Sequence, residues 1–103
     1  MPKATGIDHI AFYVSDMEAA KQFFVVGLGL VPYADYGDEF FMNVGEQSVA
    51  LFAGANKTQT INHLALKVDD LEGMKKHLES LGYMIYKEDM VDGPDSLRIQ
   101  LIS

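Results

Sequence analysis

Two histidines occupy equivalent positions of a short internal repeat, and the imidazole nitrogen is a common metal ligand. Residues 7–14 read Ile-Asp-His-Ile-Ala-Phe-Tyr-Val, and residues 61–68 read Ile-Asn-His-Leu-Ala-Leu-Lys-Val. The histidines of the two copies are His9 and His63. A lone histidine on a strand is more often structural, but a duplicated pair is what a two-fold symmetric metal or ligand site requires.

Both histidines are predicted to point away from the apolar face of their strands. In the first copy Ile10, Phe12 and Val14 alternate with His9, Ala11 and Tyr13. In the second copy Leu64, Leu66 and Val68 alternate with His63, Ala65 and Lys67. Successive side chains of a strand point to opposite faces. The histidines therefore share a face with Tyr13 rather than with the predicted core.

A helix is predicted to follow each of these strands and to cover the apolar face of the sheet. Ser15 and Asp69 are each followed three residues later by a glutamate, which is the spacing of a capping box. Apolar residues then recur at helical spacing: Met17, Ala20 and Phe24 in the first copy, and Leu71, Met74 and Leu78 in the second. Both helices are predicted to end at a Leu-Gly pair, with Gly29 or Gly82 in the left-handed conformation.

The remaining segments predict an α+β fold of two pseudo-symmetric βαβββ half-units. In the first half-unit, further strands are predicted at 31–36, 39–44 and 47–53, with glycine-containing turns between them. In the second half-unit, residues 83–91 predict either one strand or a cramped pair, and residues 96–102 predict the last strand.

The half-units are predicted to span residues 5–54 and 60–103, within a single domain of residues 1–103. A short polar linker at 54–60 joins them, and the second half-unit is the shortened one. Together they are expected to form a curved mixed sheet, shaped as a cup, with the helices on its outer face.

Composition restricts the classes of function. The chain has 103 residues, 49% hydrophobic and 22% charged, which is typical of one globular domain. Its net charge of −7 would repel the phosphate backbone of nucleic acids, and the lack of cysteine excludes disulfides, thiolate ligands and a cysteine nucleophile. No apolar run reaches the roughly 20 residues of a membrane helix, and residues 1–6 contain no apolar signal segment. We expect a cytoplasmic protein that binds neither nucleic acid nor membrane.

Three features of the sequence resemble the glyoxalase / bleomycin-resistance / extradiol-dioxygenase superfamily, also known as the vicinal oxygen chelate fold. They are the paired hydrophobic-x-His-hydrophobic-Ala strands, the βαβββ duplication, and the closing run Asp-Gly-Pro-Asp-Ser-Leu-Arg-Ile-Gln-Leu-Ile at residues 92–102. The resemblance covers nearly the whole chain. It is specific for the fold and not for one reaction, because the superfamily includes isomerases, epimerases, dioxygenases, thiol transferases and metal-free binding proteins.

In metal-dependent members of this superfamily, the ligands come from the first and last strands of each half-unit. The resemblance assigns His9 and His63 to the first strands and Gln100 to the last strand of the second half-unit, where a glutamate is usual. Ala50 takes the corresponding place in the first half-unit. A neutral amide binds a divalent ion less well than a carboxylate does. The implied cofactor is a divalent ion, Fe, Mn, Ni or Zn, and a protein without metal is equally consistent with the sequence.

Two residues are candidates for substrate binding, and no catalytic residue is assigned. Tyr13 lies on the histidine side of its strand and is predicted to line the cup. Arg98 shares a face with Gln100 and is a candidate for holding an anionic group, with a salt bridge at the sheet edge as the alternative. The candidates for the same wall or for a subunit interface are Tyr33, Tyr36, Phe40 and Phe41.

These expectations leave several functions open. The first is a metal-dependent lyase, dioxygenase or transferase that acts on a small molecule with vicinal oxygens. The second is a metal-free protein that binds and sequesters a drug-like aromatic or cationic compound. A module that serves only dimerisation is the third. Since cups of this superfamily commonly form at a dimer, the resemblance also implies a homodimer with a small-molecule ligand.

Overall fold

The structure, a computed structural model, describes residues 3, 5, 7–54 and 62–103. Its strands in chain order are β1 (His9–Val14), β2 (Val31–Asp35), β3 (Glu39–Val44), β4 (Gln47–Ala53), β5 (Leu64–Lys67), β6 (Ile85–Tyr86), β7 (Met90–Asp92) and β8 (Arg98–Ile102). They form two four-stranded sheets with the orders β1-β4-β3-β2 and β5-β8-β7-β6. In each sheet the first and last strands of the half-unit pair in parallel, and the other pairs are antiparallel. The predicted α+β fold of two βαβββ half-units is confirmed.

The helix of the first half-unit is one residue longer than that of the second, and the extra residue is accommodated by a π-helical segment. The first begins as α1 (Met17–Lys21) and continues as a π-helical segment, Gln22–Gly27, whereas α2 (Leu71–Ser80) is a regular α-helix. In the π-helical segment the Leu28 N–H donates to the carbonyl of Phe23, five residues earlier, at 2.9 Å. A π-helical turn accommodates one extra residue. The first copy has that extra residue before its Leu-Gly pair.

The predicted N-caps are each wrong by one residue. The helices are capped by Asp16 and Asp70, whose carboxylates accept from the backbone N–H three residues on, at 3.1 Å and 3.0 Å. Ser15 is not available as a cap because its hydroxyl donates to Asp95, 2.7 Å away in the other half-unit. The predicted helix ends are confirmed, since the two glycines of the Leu-Gly pairs have φ of +78° and +96°.

The hairpins of the first half-unit match the prediction closely, and those of the second half-unit are short. Strands β3 and β4 have the predicted bounds, and β2 ends at Asp35, whose carboxylate accepts from the Gly37 N–H at 2.9 Å. In the second half-unit the cramped pair is the correct alternative, because β6 and β7 contain only 2 and 3 residues. Lys87 and Glu88 connect them with φ of 51° and 72°, a conformation uncommon for residues with side chains.

Both sheets turn the face opposite the histidines toward a shared hydrophobic core. The buried members include Phe12, Val14, Val49 and Leu51 from the first sheet, and Leu66, Val91, Ile99 and Leu101 from the second. Phe23 of the first half-unit connects them, because its ring lies 5.0 Å from the ring of Tyr83 and would touch a Cβ placed on Gly93. The two half-units therefore depend on each other for burial of apolar surface.

The predicted linker at 54–60 lies, apart from Gly54, outside the described residues. In the part of the chain that the structure describes, neither helix has the length and apolar character needed to cross a membrane.

Candidate functional site

The face of each sheet that carries a histidine, here called the histidine face, points away from the core. On β1, Phe12 and Val14 are buried while His9, Ala11 and Tyr13 are exposed. Along β5 and the residue before it, Leu66 is buried while His63, Ala65 and Lys67 are exposed. The predicted alternation of the two strands is therefore confirmed. The side chain of His9 retains 53% of its solvent exposure, so it can reach a ligand.

Each histidine is oriented by the residue immediately before it. His9 Nδ1 lies 2.9 Å from Asp8 Oδ2, and His63 Nδ1 lies 2.8 Å from Asn62 Oδ1. A carboxylate oxygen and an amide oxygen only accept hydrogen bonds, so Nδ1 of each ring is the donor. The lone pair of a neutral ring then resides on Nε2, which is the arrangement of a metal-ligating histidine supported by an outer hydrogen bond. The repeat had placed an oxygen-bearing side chain before each histidine, and this signal was missed.

Gln100 is oriented in a similar way by a residue from another segment. Its Nε2 donates to Asp89 Oδ2 at 3.0 Å. The oxygen of the amide is then the atom that could bind a metal ion. In the parallel ladders Gln100 pairs with Ala65, and Ala50 pairs with Ala11. Since Ala11 and Ala65 are equivalent in the repeat, Ala50 and Gln100 are equivalent too. The first half-unit thus has a buried alanine where the second has an amide.

The histidine face of the first sheet is aromatic. Four rings, here called the aromatic wall, lie in contact there: Tyr33, Tyr36, Phe41 and Phe52. Phe41 is their centre, with ring centroids at 6.0 Å from Tyr33, 5.9 Å from Tyr36 and 6.0 Å from Phe52. Tyr13 is the cross-strand neighbour of Phe52. Phe40 does not belong to this wall, because it points to the core beneath the Lys21 ammonium group.

A comparison with protein families identifies the chain. The family model of the Glyoxalase/Bleomycin resistance protein/Dioxygenase superfamily matches residues 6–99. The chain belongs to this superfamily. The family resemblance predicted from the paired strands is confirmed. No curated protein matches the sequence.

Several solved structures share the fold at low sequence identity. An integron cassette protein from Vibrio cholerae is 20% identical, with a TM-score of 0.82 over 98% of this chain and 96% of that chain. A protein from Bacillus cereus described as a possible glyoxalase is 20% identical, with a TM-score of 0.81 over 97% of this chain and 100% of that chain. The fosfomycin resistance protein FosX from Listeria monocytogenes is 16% identical, with a TM-score of 0.83 over 97% of this chain and 91% of that chain. At these identities the likeness is one of fold alone.

In this glyoxalase-superfamily chain, the histidine face of the second sheet is polar. The Tyr86 hydroxyl donates to Asp92 Oδ1 at 2.6 Å, and Asp92 pairs with Arg98 across the β7–β8 ladder. The hydrogen bond to Asp92 raises the pKa of Tyr86, and Arg98 beside the hydroxyl acts in the opposite direction. Arg98 therefore belongs to a cluster in which its charge already has an acidic neighbour.

The predicted ligands of this superfamily member come from different elements. His63 and Gln100 share one face of the paired strands β5 and β8, and His9 lies on the first sheet. Among residues 7–54 and 62–103, no three or more His, Cys, Asp or Glu side chains form a group that could hold a metal ion. Only two members of the predicted set, His9 and His63, are of these residue types, because the third member is an amide. His77, the third histidine, lies elsewhere, and its Nε2 donates to the Val26 carbonyl at 2.7 Å.

Proposed function

We propose that this chain binds a divalent metal ion through His9, His63 and the carbonyl oxygen of Gln100, and acts on a small molecule with two neighbouring oxygens. The observation that carries the proposal is the equivalent hydrogen bond of the two histidines to Asp8 and Asn62. Both bonds hold the ring in the tautomer whose Nε2 can bind a metal.

The donor set fits a divalent ion of intermediate hardness such as Fe, Mn, Ni or Zn. Two imidazoles and an amide are neutral, so they leave the charge of the ion uncompensated, and the ion would polarise the oxygens of a bound substrate. The carboxylates of Asp8 and Asp89 are hydrogen-bonded to His9 and Gln100, so they would act through these ligands. Because the amide of Gln100 cannot accept a proton as a base, a lyase, dioxygenase or transferase reaction is favoured over a proton-shuttling isomerisation.

Metal binding by the untagged protein tests the proposal directly. We expect near-stoichiometric metal by elemental mass spectrometry, and saturable binding of Mn²⁺, Fe²⁺, Ni²⁺ or Zn²⁺ by calorimetry. The double variant His9→Ala, His63→Ala should lose this binding. The matched control is His77→Ala, which removes a histidine away from both histidine faces and should keep it. A wild-type protein that binds none of these ions below the millimolar range would overturn the proposal.

A second set of variants tests the third ligand. Gln100→Glu replaces the neutral carbonyl with a carboxylate, so metal affinity should rise by about tenfold or more. Gln100→Leu should lower it. Equal affinities for the wild type and both variants would exclude Gln100 as a ligand while leaving the two histidines in place.

We propose further that the protein is a homodimer in which a second copy covers part of the histidine faces. The exposed large apolar side chains support this, because Val31, Tyr33 and Tyr36 on or beside the first histidine face retain 62%, 53% and 69% of their exposure. Contiguous apolar surface of this kind is typical of an interface or a ligand site. Light scattering at micromolar concentration should give the mass of a dimer, and a monodisperse monomer would contradict it.

The alternative function is metal-free binding of an aromatic or cationic compound. The aromatic wall favours it, because exposed rings bind planar ligands by stacking and cations by their π-faces. The net charge of −7 also favours a cation. A binding screen against aromatic cations would separate the two functions. Loss of binding in Phe41→Ala, with full binding in the His9→Ala, His63→Ala double variant, would support the alternative over the metal-dependent function.

A further inference from the structure

A cavity of about 190 Å³ lies between the two half-units, apart from the aromatic wall and the Tyr86 cluster. Its walls are mainly aliphatic and come from both halves: Ile7, Ile10, Val44, Val49, Leu64 and Leu66. Val49 and Leu66 belong to the buried face of their strands. The cavity therefore opens at the junction of the half-units. Two of its lining residues, Ser48 and Ala65, lie on the histidine faces, whereas its aliphatic walls on the strands lie on the opposite side.

The internal repeat explains why the walls of this cavity are apolar on both sides. Ile10 and Leu64 occupy the same position of the two copies, directly after His9 and His63. Both point away from the histidine faces because neighbouring residues of a strand alternate. The two copies thus place equivalent aliphatic side chains around one space.

The cavity is a cleft open to solvent, because Gln47 and Ala65 of its lining are exposed. Water in the cleft finds few hydrogen-bond partners, because Ser48 and Gln47 are the polar side chains among the described residues that line it. Ile7 at the cavity is 69% exposed, which leaves an apolar approach from solvent.

We propose that this cavity is a binding site for a small uncharged apolar ligand, of the size of a single aromatic ring or a compact branched alkyl group. An apolar cavity of about 150 Å³ is large enough for benzene. Among the residues that the structure describes, no charged side chain lines the cavity, so a charged group would lose hydration there without compensation. The ligand chemistry differs from that of the proposed metal site, and the two sites can be tested separately.

Titration of the metal-free protein with benzene tests the proposal. Methyl groups of Ile10, Val44 and Leu64 can be followed by carbon–proton NMR, and ring-current shifts should saturate. The blocking variant is Ala65→Phe, since Ala65 lines the cavity. Its matched control is Ala11→Phe, the same substitution at the equivalent position of the first copy, which does not line the cavity. Affinity should fall by about tenfold or more in Ala65→Phe and stay within about twofold in Ala11→Phe.

The outcomes decide the question in either direction. Absence of saturable shifts up to the solubility limit of benzene would overturn the proposal, as would equal affinities in the two phenylalanine variants. If Ala65→Phe fails to fold by circular dichroism, Ser48→Leu and Ala65→Leu take its place as blocking variants with the same expected loss. A chelator is present throughout, so failure here is independent of whether His9 and His63 bind a metal.

Discussion

The two half-units retain the same supporting elements and differ in what surrounds them. Each pairs its first and last strands in parallel, caps its helix with an aspartate and ends the helix at a left-handed glycine. The outer hairpins differ, because β2 and β3 have 5 and 6 residues whereas β6 and β7 have 2 and 3. Duplication has thus preserved the strands beside the histidines and left the hairpins to diverge.

This divergence divides the chemistry of the histidine faces. The longer hairpin of the first half-unit and the adjoining β4 present the aromatic wall. The shorter hairpin of the second half-unit and the adjoining β8 present Tyr86, Asp92 and Arg98. One half-unit offers apolar contact and the other offers hydrogen bonds and charge. A pocket that binds a small molecule needs both kinds of surface.

The largest expected effect comes from breaking the contact between the half-units at Phe23. Phe23→Ala should lower the free energy of unfolding by about 3–5 kcal/mol, because a fully buried ring is replaced by a cavity. The matched control is Phe24→Ala, which removes an equally buried ring whose stacked partner, Phe12, belongs to the first half-unit. Urea unfolding measures both losses. Amide hydrogen exchange should show lost protection of β7 and β8 in Phe23→Ala only, and equal protection in both variants would contradict the idea that Phe23 couples the halves.

A smaller loss is expected at Gly93, where the second half-unit meets the same ring. A Cβ on Gly93 would lie 2.5 Å from Phe23 Cε2, so Gly93→Ala must displace the ring or the turn. The cost should be about 1–3 kcal/mol of unfolding free energy. The double variant Gly93→Ala, Phe23→Leu should recover part of it, as measured by urea unfolding. Additive losses in the double variant would show that the clash is not the cause.

The caps allow a direct comparison of equivalent residues in the two half-units. Asp16→Ala and Asp70→Ala should each cost about 1 kcal/mol of unfolding free energy, since each removes an acceptor for an N-terminal N–H of its helix. Asp69→Ala is the control, because Asp69 does not cap α2. Thermal unfolding followed by circular dichroism ranks the three. A cost at Asp69 equal to that at Asp70 would restore the original capping prediction.

The sequence alone was sufficient to predict the strands whose bounds and faces depend on a local pattern of residues. Alternation along residues 9–14 and 64–67 and the turn residues of the first half-unit predicted strand bounds and faces correctly. The prediction of the N-caps was wrong because two adjacent residues in each copy carry an oxygen that can accept a hydrogen bond. In the first copy Ser15 does not cap the helix because its hydroxyl donates to Asp95, 80 residues away. The extra residue before the Leu-Gly pair of the first copy was visible in the sequence, but only the structure shows that it forms a π-helical turn.

The residue types of the candidate site could be predicted from the sequence, but the orientation of their side chains was harder to predict. Asp8 and Asn62 are adjacent to the histidines that they orient, so the sequence contained this signal. The contact of Gln100 with Asp89 joins β8 to the residue before β7, and the sequence left the register of these two strands open. Phe40 and Phe41 are adjacent aromatic residues, and their opposite faces follow from the strand register rather than from composition.

The smallest expected effect is a titration that sharpens the polar character of the second histidine face. The hydrogen bond to Asp92 raises the pKa of Tyr86 above the ordinary value of 10.0. A raised pKa means that the protonated hydroxyl contributes stability below the unfolded value, and that this contribution disappears as pH rises through the folded pKa. Asp92→Asn should lower the Tyr86 pKa, and Arg98→Met should raise it further, because Arg98 opposes Asp92. NMR of tyrosine labelled at the phenolic carbon resolves the titration. Shifts of the same sign in both variants would mean that Asp92 and Arg98 do not compete for the hydroxyl, and that the second face is less organised than the aromatic wall of the first.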